Sequence, residues 1–134
     1  MRCPTALAAM AACLLAIGSS SAVAHHSVSH DFDVFRKLTL QGTVTQVNWG
    51  NPHIGLELAV RDAQGRLQSW RIEGGPPNAL LRRGWSRNSL AVGAVVSIEA
   101  WPARDGSRRA NAHFIRLPDG RKLDAASSYH PPRD

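Results

Sequence analysis

The stretch LQSWRIEGGPPNALLRRGW, residues 67–85, decides the fold because it sets a short helix directly after a strand. Its first seven residues alternate in polarity, which predicts a strand with Trp70 and Ile72 facing inward. Two glycines end that strand. Pro76 and Pro77 favour the start of a helix, because a proline lacks the N–H group that would be unpaired there anyway. We expect this helix to run for about two turns.

Gly84 is placed to end the helix in the left-handed conformation that glycine adopts without steric cost. Trp85 would then fold back onto Leu80, which is the apolar contact that accompanies such a cap. Arg82 and Arg83 would complement the negative end of the helix dipole.

Strand patterns lie on both sides of the helix. A long first strand begins at Leu38, and its apolar residues change parity near Thr45 and Gln46, as a β-bulge would produce. Asn51-Pro52 breaks this strand. Clean alternation or turn-bounded apolar runs then predict further strands at 53–60, 94–103 and 108–117, with a short extension at 122–123.

Three strands, a short helix and two more strands follow the order of the OB-fold, a small Greek-key barrel. The sequence therefore predicts a mainly β protein, a five-stranded OB-like barrel with one short helix between strands 3 and 4. An unclosed α+β meander is the alternative. The predicted organisation is a signal peptide (1–24), a His-rich N-terminal arm (25–37), the barrel (38–123) and a disordered tail (124–134).

The first 24 residues have the order of a secretory signal peptide. Arg2 provides a basic start, an apolar run follows, and Ala22 and Ala24 stand at the −3 and −1 positions of a cleavage site. The apolar run is shorter than the roughly 20 residues that span a bilayer. We expect export to the periplasm, with His25 as the first mature residue and no transmembrane segment in the mature protein.

Length and composition exclude several classes of protein. The chain has 134 residues and a net charge of +6, which indicates one basic domain and excludes a two-domain enzyme. Both cysteines, Cys3 and Cys13, lie in the predicted signal peptide, so thiol chemistry and disulfides are excluded from the mature chain. The sequence contains no nucleophile elbow, phosphate-binding loop or zinc-protease motif, and we expect no enzymatic activity.

The histidines form the most specific candidate site. At a new N-terminus, the α-amine and imidazole of His25 can chelate one metal ion together, and nitrogen ligands of this kind suit Cu(II). Cleavage one or two residues earlier would place His25 or His26 in third position, which also permits copper binding. The predicted metal ligands are His25, His26 and His53, with His30 and His113 as alternates. The alternative interpretation is that these histidines are ordinary polar residues of an exported chain and bind no metal.

A second candidate site is the face of the barrel. Arg71, Arg108 and Arg109 supply positive charge, and Trp101 supplies a stacking surface, so this face is a weaker candidate for ligand binding. Its ligand would be an acidic polymer or a partner protein, and export argues against a nucleic-acid partner. A solvated basic face is the simpler interpretation. We expect a monomer.

Several blocks of the mature chain resemble a family of small exported bacterial proteins classified as a domain of unknown function. The blocks are His25-His26-Ser27, Asn51-Pro52-His53, Glu73-Gly74-Gly75-Pro76-Pro77-Asn78 and Arg82-Arg83-Gly84-Trp85. The chain departs from the family at Val92-Gly93-Ala94, where the family tends to have Pro-Gly-Asp. The resemblance implies export and small size, and it implies no activity, substrate or catalytic residue.

Overall fold

The structure, a computed structural model, describes residues 28–127. This part of the chain contains two short helices and six strands. In chain order they are α1 (Val28–Asp31), β1 (Leu38–Asn48), β2 (Gly55–Arg61), β3 (Leu67–Glu73), α2 (Pro77–Arg82), β4 (Val95–Pro102), β5 (Arg109–Arg116) and β6 (Lys122–Asp124). The helix between the third and fourth strands lies where the sequence predicts it. The predicted second strand loses its first two residues, so His53 lies in the loop before β2.

The strands close into a barrel. β1 pairs antiparallel with both β2 and β4, β2 pairs with β3, and β4 pairs with β5. A parallel pairing of β3 with β5, from Arg71↔Arg109 to Glu73↔Asn111, joins the two ends of this sheet. The closure confirms the OB-like barrel and excludes the unclosed meander, while β6 adds a short antiparallel strand outside β5.

β1 serves both halves of the barrel because it bends at a bulge. Its register with β2 passes from Val44↔Leu58 directly to Gln46↔Glu57, which leaves Thr45 as the extra residue. Up to Thr43 the same strand pairs with β4. A bulge bends a strand and increases its twist, so a single strand can take part in both sheets of a small barrel. The sequence prediction of a bulge near Thr45 and Gln46 is confirmed.

The end of α2 has the predicted cap. Gly84 has a φ of +89°, and the N–H of Trp85 donates to the carbonyl oxygen of Leu80 at 3.1 Å. Leu80 is fully buried, and Trp85 is 3% exposed. The helix therefore covers the end of the barrel at which β3 finishes.

The core follows the predicted strand alternation. In β2 the buried residues Leu56 and Leu58 alternate with partly exposed ones, and Ile54 is buried directly before the strand. Ile72, Ile98 and Ile115 come from three other strands and are fully buried. These side chains fill one apolar interior.

The segment before the barrel is ordered from Val28 onward, where the sequence predicts an arm without regular structure. Residues Val28–Asp31 form one helical turn, and Phe32 pairs with Ala103 as an isolated antiparallel bridge. Phe32 and Val34 are 2% and 7% exposed. Two apolar residues at a spacing of two give too short a pattern to indicate an element, and their partners lie far away in the sequence.

Ordered packing also continues past residue 123, where the sequence predicts a disordered tail. Asp124 belongs to β6, and residues 125–127 are buried. The N–H of Gly75 donates to the Ala125 carbonyl oxygen at 2.8 Å, and a Cβ at Gly75 would lie 2.6 Å from the Ala126 oxygen. Small residues pack against a glycine here, and the contact depends on the close approach of two backbones. The segment therefore has no apolar stripe from which its packing could be predicted. Residues 128–134 lie outside the described residues.

Candidate functional site

One face of the barrel gathers most of the predicted arginines. We define the outer strand face as the outward side chains of the second half of β1, β2, β3 and the start of β5. Register places these residues side by side, because Gln46 pairs with Glu57, Glu57 with Arg71, and Arg71 with Arg109. The face comprises Gln46, Asn48, Glu57, Ser69, Arg71, Glu73 and Arg109.

Charges on the outer strand face are paired. The Arg71 Nε lies 3.5 Å from Glu57 Oε1, and Glu57 Oε2 also accepts a hydrogen bond from the Ser69 hydroxyl at 2.8 Å. Across the next strand pair, Arg109 Nη2 lies 3.1 Å from Glu73 Oε1. Each arginine is therefore matched by a glutamate, which removes most of the positive potential predicted for this face.

A shallow cavity of about 250 Å³ lies on this face. It is lined by Gln46, Asn48, Gly55, Leu56, Glu57 and Arg71. Amide and carboxylate groups dominate the lining, and none of these six residues is aromatic. Base stacking on aromatic rings, which supports single-stranded nucleic-acid binding in other proteins, therefore has no platform in this cavity.

Trp101 lies away from this cavity and is 3% exposed. It packs in a second apolar cluster with Phe32, Val34 and Ala103, and Val28 packs against the same cluster. We refer to these residues as the docking cluster. Burial leaves Trp101 without the open surface that the predicted ligand-binding role requires.

Arg108 is separated from the other two arginines. It is exposed and borders a different cavity, at the end of the barrel formed by the β2–β3 hairpin. The structure therefore brings Arg71 and Arg109 together and places Arg108 and Trp101 elsewhere.

The histidines of the predicted metal site lie in three separate places or outside the described residues. His25 and His26 lie outside the described residues. His30 is exposed in α1, with its Nδ1 2.9 Å from Asp31 Oδ1. His53 is exposed in the loop before β2, and His113 lies in β5. Residues 28–127 contain no cluster of three His, Cys, Asp or Glu side chains able to hold a metal ion.

His113 adjoins the docking cluster. Its ring stacks on Trp101 with a centroid separation of 5.2 Å and an interplanar angle of 18°. On its other side it meets Phe114 at 4.1 Å. His113 is thus linked through Trp101 to the segment that begins at Val28.

Three hydrogen bonds fix that N-terminal segment to the β4–β5 hairpin. Arg104 donates from Nε to the Ser29 carbonyl at 3.0 Å and from its backbone N–H to the Asp31 carbonyl at 2.9 Å. The N–H of Asp33 donates to the Pro102 carbonyl at 2.9 Å. The sequence did not reveal this docking, because the only available signal was the short alternation of Phe32 and Val34.

Hairpin aspartates provide the shifted pKa values of the described chain. The Ser107 hydroxyl and N–H both donate to Asp105 Oδ1 and hold the pKa of that carboxyl below its ordinary value. The Arg121 N–H and guanidinium lower the pKa of Asp119 in the same way. These carboxylates order turns, and a role in proton transfer would instead call for a pKa raised toward neutrality.

The strand order, the parallel β3–β5 closure and the helix between β3 and β4 define a small OB-like β-barrel. Within that class, the chain belongs to a family of unknown function, DUF6152, whose family model matches residues 11–112. This membership confirms the resemblance to a domain of unknown function. No curated protein matches the chain.

Solved structures similar to this chain include two crystal structures of the mitochondrial single-stranded DNA-binding protein Rim1 from S. cerevisiae. One aligns with a TM-score of 0.48 and 17% identity, over 66% of this chain and 95% of that chain. The other, containing selenomethionine, aligns with a TM-score of 0.45 and 16% identity, over 65% and 94%. Among the described residues, no helix is both long and apolar enough to cross a membrane.

Proposed function

We propose that the protein is an exported, non-enzymatic binding protein of the periplasm that binds copper through its N-terminal histidines. In this proposal residues 1–24 are removed, and the amine and imidazole of His25 chelate Cu(II). His26 or a histidine of the barrel supplies a further nitrogen ligand. Amine and imidazole nitrogens favour Cu(II) among the divalent ions of the first transition row.

The observation that carries the proposal is the docking of residues 28–34 on the β4–β5 hairpin. His26 and His25 stand two and three residues before Val28 in the sequence, next to the docked segment. In the proposal, a chelating terminus at His25 is therefore attached to a segment that is already docked on the barrel. This favours a site with a fixed partner over a free peptide, because less chain entropy is lost on binding.

The folded partner is His53 or His113. The sequence favours His53, which follows the strand break at Asn51-Pro52. The contacts favour His113, since it stacks on Trp101 and Val28 packs against the cluster that contains Trp101. The two alternatives are separated by single substitutions.

The test is a Cu(II) titration of protein that begins at His25, with the N-terminus first verified by mass spectrometry. We expect one tight equivalent with the absorption and paramagnetic resonance of nitrogen-coordinated copper. The matched control is the same protein with an acetylated N-terminus, which retains every histidine and loses the chelating amine. We expect acetylation and His25→Ala each to weaken binding at least tenfold, which is about 1.4 kcal/mol.

His53→Ala and His113→Ala test for a ligand from the barrel, because the variant that removes such a ligand should alter the copper spectrum. Equal affinity of the unmodified and acetylated proteins would exclude the N-terminal chelate. Loss of affinity on acetylation with no effect of either barrel variant would restrict the site to His25 and His26.

Binding of an acidic polymer or a partner protein at the basic face is a second candidate function. The pairing of Arg71 and Arg109 with glutamates weakens this alternative. Polymer binding at this face predicts that the protein stays bound to an immobilised polyanion at about 0.15 M salt, where the Debye length is about 8 Å. Elution below that salt concentration would indicate only non-specific attraction.

A further inference from the structure

The end of the barrel opposite α2 holds a second cavity of about 250 Å³. It is lined by Leu40, Val60, Asp62, Arg66, Gln68, Trp70 and Arg108. We refer to it as the barrel-mouth cavity. It lies beside the β2–β3 hairpin, at the end of β3 away from α2, and no residue of α1 or α2 lines it.

The interior of the barrel-mouth cavity is apolar. Leu40 is buried in the core, and Val60 and Trp70 are half-buried and pack against the same core. Val60 and Trp70 remain partly exposed to solvent at this cavity. Sites for small molecules are typically concave and apolar, with a few polar groups that fix the orientation of the ligand.

The acidic group at the rim is already satisfied. Asp62 accepts hydrogen bonds from the backbone N–H groups of Gln64 and Arg66 and from the side chains of Arg66 and Gln68. Desolvation raises the pKa of Asp62, but these hydrogen bonds together bring it below its ordinary value. Arg66 therefore neutralises the charge of Asp62 within the hairpin, and Gln68 adds a hydrogen bond to the same carboxylate.

Arg108 is the other charged residue that lines the barrel-mouth cavity. Within the described residues its guanidinium makes no ion pair or hydrogen bond, and only its carbonyl oxygen is engaged, by the N–H of Arg71. The rim of an apolar cavity thus carries one uncompensated positive charge. A guanidinium matches the planar geometry of a carboxylate with two parallel hydrogen bonds.

We propose that the barrel-mouth cavity binds a small aromatic monocarboxylic acid. The ring lies on Val60 and Trp70, and the carboxylate pairs with Arg108. A cavity of about 150 Å³ holds benzene, so about 250 Å³ suits one ring with a short acidic side chain. Offset or edge contact with the Trp70 indole favours an aromatic ring over an alkyl chain of equal size. This site is independent of the N-terminal histidines.

The test uses phenylacetate as the probe, with phenylacetamide as its neutral analogue and acetate as the acid without a ring. Each is titrated into ¹⁵N-labelled protein, and amide and indole shifts are followed by NMR. We expect saturable shifts for phenylacetate at Val60, at Arg108 and at the Trp70 indole N–H. Phenylacetamide should bind at least tenfold more weakly, and acetate should cause no saturable shift.

Substitutions separate the rim charge from general electrostatics. Arg108→Gln should weaken phenylacetate binding at least tenfold and leave phenylacetamide unchanged, because only the acid uses the guanidinium. Arg87→Gln removes an exposed arginine from the loop after α2 and should change neither. Equal binding of the acid and the amide, shifts confined to the outer strand face, or no saturable shift would each overturn the proposal.

Discussion

Trp85 joins an apolar contact and a hydrogen bond at the end of α2. Its ring is 3% exposed, and its indole N–H donates to the Asp124 carbonyl oxygen at 2.8 Å. Trp85→Phe keeps most of the ring and removes this part-buried hydrogen bond to the Asp124 carbonyl. We expect a loss of about 1–3 kcal/mol in the free energy of unfolding, measured by urea denaturation.

Trp49→Phe is the matched control, because Trp49 packs on Trp85 with a centroid separation of 6.3 Å and is only half-buried. It should cost less than half as much. Equal losses in the two variants would assign the effect to ring size and not to the hydrogen bond.

Asp105 predicts how acid affects the β4–β5 hairpin. Its pKa lies below the ordinary value because Ser107 donates two hydrogen bonds to the charged form. Folding therefore gains stability from this group above its unfolded pKa and loses it as the pH falls through the lower, folded pKa. Asp105→Asn cannot titrate, so its thermal midpoint should fall less steeply than the wild type between about pH 5 and pH 2. Superimposable pH profiles would contradict this.

At the scale of single residues, the sequence predicts contacts between near neighbours in the chain better than contacts between distant segments. The cap formed by Gly84 and Trp85 was predictable because all of its contacts lie within five residues. The burial of Trp101 was not, since its cover comes from Phe32 and Val34, far away in the chain. The pairing of Arg71 with Glu57 depends on strand register, which residue spacing alone did not provide.

At the scale of elements, the docked segment 28–34 is held by the docking cluster and by three hydrogen bonds to the β4–β5 hairpin. Phe32→Ala removes the largest apolar side chain that the segment inserts into that cluster. We expect local release and not unfolding: amide exchange at Phe32 and Asp33 should accelerate at least tenfold, while Val44 in the core stays protected.

Phe35→Ala is the control for this release, because the Phe35 side chain is 89% exposed in the turn that follows. It should leave exchange at all three amides unchanged. Acceleration at Val44 in the Phe32 variant would mean that the segment and the barrel unfold as one unit.

Element order was predictable, and element contacts were not. Proline and glycine positions around 74–77 mark the helix, and the change in parity near Thr45 marks the bulge. The closure of β3 on β5 instead follows from the OB-fold as a whole, and no local pattern in either strand indicates it. The packing of residues 125–127 depends on the missing side chain of Gly75, which a hydrophobicity pattern cannot show.

At the scale of the whole molecule, stability depends on a single barrel core. Leu56 is 2% exposed and faces that core from β2. Leu56→Asp would bury an unpaired charge, and we expect the protein to be unfolded, with its strand circular dichroism and cooperative melting lost. Leu67→Asp places the same charge on a residue that is 61% exposed on β3, and it should melt near the wild-type temperature. A folded Leu56→Asp variant would contradict the register of β2.

The docking of residues 28–34 also bears on the order in which the chain folds. Ser29 and Arg104 are 75 residues apart, so the first described residues are synthesised long before the hairpin that receives them. Contacts between such distant segments form late, after the loop between them has been closed by other structure. We therefore expect the N-terminal segment to join a barrel that is already assembled. In that order, a ligand that needs both the terminus and the barrel would be acquired at the last stage of folding.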